Sequence, residues 1–246
     1  MPSGWVRWLL EQSAFQYTVI YPKEIDSVDL RSKYDVILFM GGGIPAVNAK
    51  AADIARRSRD PKPGEIAEEF RPWLGNITSE KSIPALKKFM EAGGNVVTVG
   101  SSTALAYHLG LPVRNALVEM TGKEVELPLP GDKYYIPGSI LRVTVDTTQQ
   151  ANWGMNSSAD MVFSSSPVFK LDPDAALKGV KSLAWISGNK PLRSGWAWGI
   201  SYLQGGVVAF EASIGKGKFF AFGPEIIFRA QSHGTFKLLF NELYTK

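Results

Sequence analysis

Gly93–Gly110, GGNVVTVGSSTALAYHLG, decides how the rest of the chain is read. Its pattern predicts a glycine turn, a buried strand over Asn95–Val99, a sharp Gly-Ser-Ser corner and a helix starting near Ser102. In an open α/β sheet the carboxyl end of such a strand is where ligands and nucleophiles are placed. A small residue at a strand-to-helix elbow projects over a helix N-terminus, where an anion or a tetrahedral oxyanion is stabilised. Ser102 is therefore either a nucleophile or a helix cap, and the residue pattern favours the cap.

Working outward, Asp35–Met40 (DVILFM) is a continuous apolar run stopped by Gly41-Gly42-Gly43. That texture suits a strand in the middle of a parallel sheet covered on both faces. The triple glycine lets backbone N–H groups approach a ligand closely, and a plain loop explains it equally well. Between the two strands, Ser82–Ala92 (SIPALKKFMEA) reads as a helix with Ser82 as N-cap, proline just inside and Gly93 closing it. Upstream, Trp5–Ala14 has Trp5, Trp8, Leu9 and Gln12 at helical intervals, and Tyr17–Tyr21 (YTVIY) is β-rich. Residues 48–78, with a basic piece, Asp60-Pro61-Lys62-Pro63-Gly64 and an acidic piece, read as a surface excursion or lid.

Beyond Gly110 the texture turns β-rich. Asp132–Val145, the neighbourhood of Phe163 to Phe169, Ser182–Ser187, Gly206–Glu211 and Lys218–Gly223 all read as strands. Ile214-Gly-Lys-Gly217 joins the last two as a hairpin, and Thr235–Tyr244 closes the chain as an amphipathic helix. These elements make one α/β domain over residues 1–246, helix and parallel strand first and then a β-rich C-terminal half that extends it.

Composition narrows the function classes. The chain has 246 residues, 45% hydrophobic and 20% charged, enough for a sizeable core. The net charge of +4 is scattered apart from Arg56-Arg57-Ser58-Arg59 and Lys87-Lys88, which argues against nucleic acid as a partner. No apolar run is long enough to span a bilayer, and the N-terminus lacks the layout of a signal peptide. The absence of cysteine excludes disulfides, thiolate metal sites and thiol catalysis. Two separated histidines, His108 and His233, with scattered carboxylates give no recognisable metal-ligand set, and no cofactor is expected.

The order strand, glycine loop, helix, strand, elbow, helix, then a β-rich half ending in Phe-Gly-Pro-Glu and a helix resembles the class I glutamine amidotransferase-like fold, which implies a flavodoxin-like, mostly parallel sheet with helices on both faces. That family carries Gly-x-Cys-x-Gly at the elbow and Phe-His-Pro-Glu near its end. Here the elbow is Gly100-Ser101-Ser102-Thr103-Ala104, with Ser102 at the cysteine position, and the late motif is Phe222-Gly223-Pro224-Glu225, with Gly223 at the histidine position. Gly41-Gly42 resembles the glycine pair that helps form the oxyanion hole. PGSILRVTVD, the later WGM, GKGKFFAFG and FRAQSHGTFKLLFN resemble the amidotransferase-like domain appended to some bacterial zinc carboxypeptidases of the carboxypeptidase A type. That resemblance implies a fragment of a longer protein whose N-terminal peptidase domain is its partner, periplasmic or secreted if the parent is exported. The fold normally opens with a central strand, whereas this chain opens almost directly on a helix.

The resemblance implies no glutaminase activity, because cysteine and histidine are both replaced. The expected role is that of a catalytically silent accessory domain, docking or binding a peptide or small molecule in the old crevice, with Gly41, Gly42, Gly43, Ser101, Ser102 and Gly223 as candidate contacts. A second reading is a serine hydrolase or amidase with Ser102 as nucleophile, His233 as base and Glu225 as orienter. A third is an aromatic surface for peptide or glycan, drawn from Trp73, Trp153, Trp185, Trp196 and Trp198. In the GWAWG stretch, Trp196 and Trp198 would face one side of a strand.

Overall fold

A computed structural model describes residues 2–47, 61–120, 122 and 126–244 of the chain. It is a mixed α/β structure built on a large sheet. The helices are α1 (Pro2–Gln12), α2 (Pro22–Ser27), α3 (Leu30–Lys33), α4 (Ser82–Glu91), α5 (Leu105–His108) and α6 (Phe236–Tyr244). The first five strands are β1 (Val36–Phe39), β2 (Asn95–Val99), β3 (Val113–Asn115), β4 (Val118–Met120) and β5 (Glu126–Pro128). They are followed by β6 (Ser139–Val145), β7 (Ser158–Phe163), β8 (Phe169–Leu171) and β9 (Val180–Trp185). The last are β10 (Leu192–Ser194), β11 (Val207–Ile214) and β12 (Gly217–Phe222).

The main path through the sheet runs β1-β2-β12-β11-β9-β6-β10, while β4 and β5 pair separately. The parallel pairing expected of the sheet holds for β1 with β2 and for β2 with β12. From β12 outward the pairing is antiparallel, through β11, β9, β6 and β7. The physical reason is the connection. Two residues between β11 and β12 can only make an antiparallel hairpin, whereas the β1-to-β2 link carries α4 as a crossover. The late strands thus extend the same sheet.

Both faces of the sheet are covered. On one side α1 and α6 contribute Val6, Leu9, Leu238 and Leu239 against Val97, Val99, Phe220 and Phe222. On the other, α2 to α5 contribute Ile25, Leu30, Leu86, Phe89 and Leu105 against Val96, Phe210 and Phe219. Every residue of β2 is buried, which is why its sequence is a near-continuous apolar run.

Several local expectations are corrected. Tyr17–Tyr21 forms no strand; it has β-prone residues but no neighbouring ladder, and Tyr21 stacks on Trp73 at 5.0 Å instead. In α1 the buried residues are Val6, Leu9 and Leu10, while Trp5 and Trp8 are exposed. Ser82 is not the cap of α4. Its hydroxyl donates to Asp26 Oδ1 at 2.7 Å and accepts from Thr78 N–H at 3.0 Å, tying α4 to the segment bearing α2. The other end of α4 is as expected: Gly93, at φ +102°, donates to Met90 O and Gly94 to Phe89 O, a Schellman closure. Of the 48–78 excursion, 48–60 lies outside the described residues, and the remainder holds two short 3-10 turns, Pro63–Glu65 and Glu68–Trp73.

On α6, Glu242 is fully buried and neither carboxyl oxygen has a hydrogen-bond partner. Burial, with Glu211 adding repulsion and Lys218 opposing it, pushes its pKa to about 9. Among the described residues no helix is long and apolar enough to cross a membrane.

Candidate functional site

The elbow follows directly from β2. Gly100 takes φ +63°, a turn that a side chain would strain, and a Cβ there would also lie 3.3 Å from Glu225 Oε1. Gly100–Ala104 then forms a 3-10 turn and α5 continues from Leu105, so the regular helix starts three residues later than the sequence pattern predicts.

Neither serine of the elbow caps that helix. Ser101 Oγ accepts from Gly42 N–H at 2.8 Å. Ser102 Oγ accepts from Gly43 N–H at 3.0 Å and Ile44 N–H at 3.2 Å, and donates to Met40 O at 2.5 Å. A hydroxyl has one proton and two lone pairs, so three backbone groups use the full capacity of Ser102, which is also fully buried. The two serines are struts between the elbow and the Gly41–Gly43 loop. The N–H groups of Gly42 and Gly43, which would otherwise be free to polarise a ligand carbonyl, are occupied by them.

The late motif meets the same corner. Gly223 follows β12 and donates to Val208 O at 2.9 Å. A Cβ on Gly223 would lie 2.0 Å from Pro167 O, closer than any real carbon. A histidine at this position cannot be accommodated with the backbone as it stands. Glu225 is half-buried, and its carboxyl lies beside Gly41 and Gly100; burial raises its pKa.

The structure therefore brings together Gly41, Gly42, Gly43, Ser101, Ser102 and Glu225, with Gly223 just beyond. His233 is elsewhere in bonding terms: it is exposed, its ring packs on Phe236 at 4.9 Å, and all three partners of Ser102 are backbone atoms. His108 Nε2 is bound at 2.9 Å to Pro45 O. Among the described residues no group of three or more His, Asp or Glu side chains is placed to hold a metal ion.

Beside the elbow lies a cleft of about 450 Å³, walled by Ser101, Tyr107, Leu117, Tyr134, Tyr135 and Pro167 among others. Its size falls in the usual range for small-ligand sites. Burial raises the phenols of Tyr107 and Tyr134 to about 12, and the Tyr134 hydroxyl is closed off behind the wall without a hydrogen-bond partner. At the rim, Tyr135 N–H donates to Trp198 O at 3.1 Å and Trp198 N–H returns the bond to Tyr135 O at 3.0 Å. Trp196 and Trp198 are both more than half exposed, whereas Trp185 packs against the core. The tyrosines are the part that sequence reasoning missed. GWAWG marks its own tryptophans, but nothing in its spacing points to Tyr135, more than sixty residues earlier.

No protein-family model matches the chain, and no curated protein matches it. Solved structures do. A GMP synthase-like protein from Thermoplasma acidophilum is 12% identical, with 96% of this chain covering 84% of that one at a TM-score of 0.52. A cytoplasmic protein of Salmonella typhimurium LT2 is 12% identical, with 98% of this chain covering 85% of that one at a TM-score of 0.51. β-Galactosidase from Bacillus circulans sp. alkalophilus is 13% identical at a TM-score of 0.45, and 91% of this chain spans 25% of its length. The first two are likenesses of fold alone.

Proposed function

We propose that the chain is a catalytically silent domain of the amidotransferase-like, flavodoxin-related kind, whose crevice binds a ligand without turning it over. The observation that carries this reading is the pairing of Gly223 with Pro167. The position where the resembling family has its histidine is closed by a backbone carbonyl 2.0 Å from the missing Cβ. The saturated hydroxyl of Ser102 and the serine-occupied N–H groups of Gly42 and Gly43 support it further. Such a domain suits an accessory role in a larger protein, as the resemblance to carboxypeptidase-appended domains implies. The serine hydrolase alternative is disfavoured by the exposed position of His233, whose ring packs at a tilt on Phe236.

The test is turnover. The purified chain, assayed for ammonia release from glutamine and for hydrolysis of activated esters and amides, is expected to match Ser102→Ala at background. Turnover by the native chain that Ser102→Ala abolishes would overturn the proposal.

A further inference from the structure

We propose that the ligand of this crevice is a neutral oligosaccharide, one sugar unit lying in the cleft and an adjoining unit stacked on the Tyr135–Trp198 rim. This rests on the reading of the crevice as a ligand site and names the chemistry it would take.

The first argument is charge. Among the described residues no Lys, Arg, Asp, Glu or His side chain lines the cleft. A phosphorylated or carboxylated ligand would leave water without a counter-charge in the wall, and that desolvation opposes its binding. A neutral ligand has no such penalty. The wall instead offers apolar and aromatic surface from Tyr107, Leu117 and Pro167, with the hydroxyl-bearing residues Ser101 and Ser165 exposed along it. A sugar ring has the matching halves: C–H faces that rest on aromatic rings and hydroxyl edges that need donors and acceptors.

The second argument is preorganisation. The reciprocal hydrogen bonds between Tyr135 and Trp198 make them a directly opposed antiparallel pair, so both side chains project from the same side. They are 51% and 54% exposed, large for aromatic residues that a folded domain has no evident need to display. The Trp198 indole is already fixed, because its Nε1–H donates to Asp132 O at 2.7 Å. A ring held in place loses little side-chain entropy when a ligand stacks on it. Ser165 adds a third sign: it holds φ +50°, uncommon for serine, while its N–H is bound to Ile136 O at 2.8 Å. Backbone held in a sparsely populated region concentrates at ligand sites.

A peptide added as a strand fits less well. That mode of binding needs a row of unpaired backbone groups on a sheet edge. Here the rim's backbone groups on Tyr135 and Trp198 bond to each other, leaving side chains as the recognition surface.

Intrinsic tryptophan fluorescence and two-dimensional NMR, read during titration of the full chain with neutral cello-, manno-, chito- and galacto-hexaoses and with uncharged hexapeptides, test the proposal. At least one sugar series is expected to bind saturably and shift resonances of Tyr107, Tyr135 and Trp198. Trp198→Ala and Tyr135→Ala, both at exposed positions and checked by unchanged thermal melts, are expected to weaken that binding about tenfold or more. Sugar binding indifferent to both substitutions overturns the proposed site. Peptides shifting the cleft resonances while every sugar fails overturns the sugar assignment and leaves the crevice reading intact. If no probe of either class shifts the cleft, both readings fall.

Discussion

Gly223 and Pro167 exclude one another's alternatives: the Pro167 carbonyl oxygen occupies space 2.0 Å from where any Cβ on Gly223 would stand. The contact is backbone against a missing side chain, so no rotamer change relieves it. Pro167 follows the Ser164-Ser165-Ser166 turn, in which Ser166 Oγ accepts from Ser164 N–H at 3.1 Å, and is itself one of the residues lining the cleft.

Gly223→Ala is accordingly expected to destabilise the fold by about 3 kcal/mol, the upper end of ordinary overpacking. Urea unfolding reads this as a lowered midpoint with an unchanged slope. The double substitution Ser102→Cys with Gly223→His, which installs the cysteine and histidine of the family the sequence resembles, is expected to yield no glutaminase. Ammonia release from that variant would show that the turn can retreat.

Ser102→Ala tests the strut. Removing the hydroxyl leaves Ile44 N–H without its partner and Gly43 N–H with Met40 O alone. A loss of about 1–3 kcal/mol is expected, measured as a shift in denaturant midpoint. Ser101→Ala, at an exposed position, should cost less. A reversed order would mean that the Gly41–Gly43 loop is held by other contacts.

Glu242 gives the stability a pH signature. Its ordinary pKa of 4.5 rises to about 9 in the folded chain, chiefly through burial. Between those values the folded state retains a proton that the unfolded state releases, so stability falls as pH rises across that window. Glu242→Gln removes this titration. The difference in unfolding midpoint between variant and native protein should therefore move in favour of the variant from about pH 5 to about pH 9.

Tyr134→Phe deletes a buried hydroxyl with no partner. The fold is expected to keep its thermal midpoint or gain up to about 1 kcal/mol, since no hydrogen bond is lost. A marked drop in calorimetric midpoint would reveal a partner for this group, such as an ordered water.

Much of the scaffold was legible in the residues because its signals are local. Asn95–Val99 reads as a buried strand and is one, and Ile214–Gly217 reads as a hairpin and is one. Apolar runs bounded by glycine leave the chain little choice. Tyr17–Tyr21 misled because β-propensity describes a fit to a sheet surface, and no strand lies alongside to supply it. Trp5 and Trp8 misled for a related reason: helical spacing defines a stripe, but packing partners choose which stripe is buried.

The sequence by itself determined that an elbow follows a buried central strand, that a glycine loop precedes it, and that serine stands at 102 and glycine at 223. Only the tertiary structure decided what those two residues do. The partners of Ser102 lie 58 to 62 positions away, and the carbonyl against Gly223 belongs to a separate turn. The Tyr135–Trp198 rim likewise exists only because distant segments pair. Local patterns fix backbone shape through periodicity and steric preference, whereas the fate of one hydroxyl or one missing Cβ depends on atoms that only folding brings within about 3 Å of it.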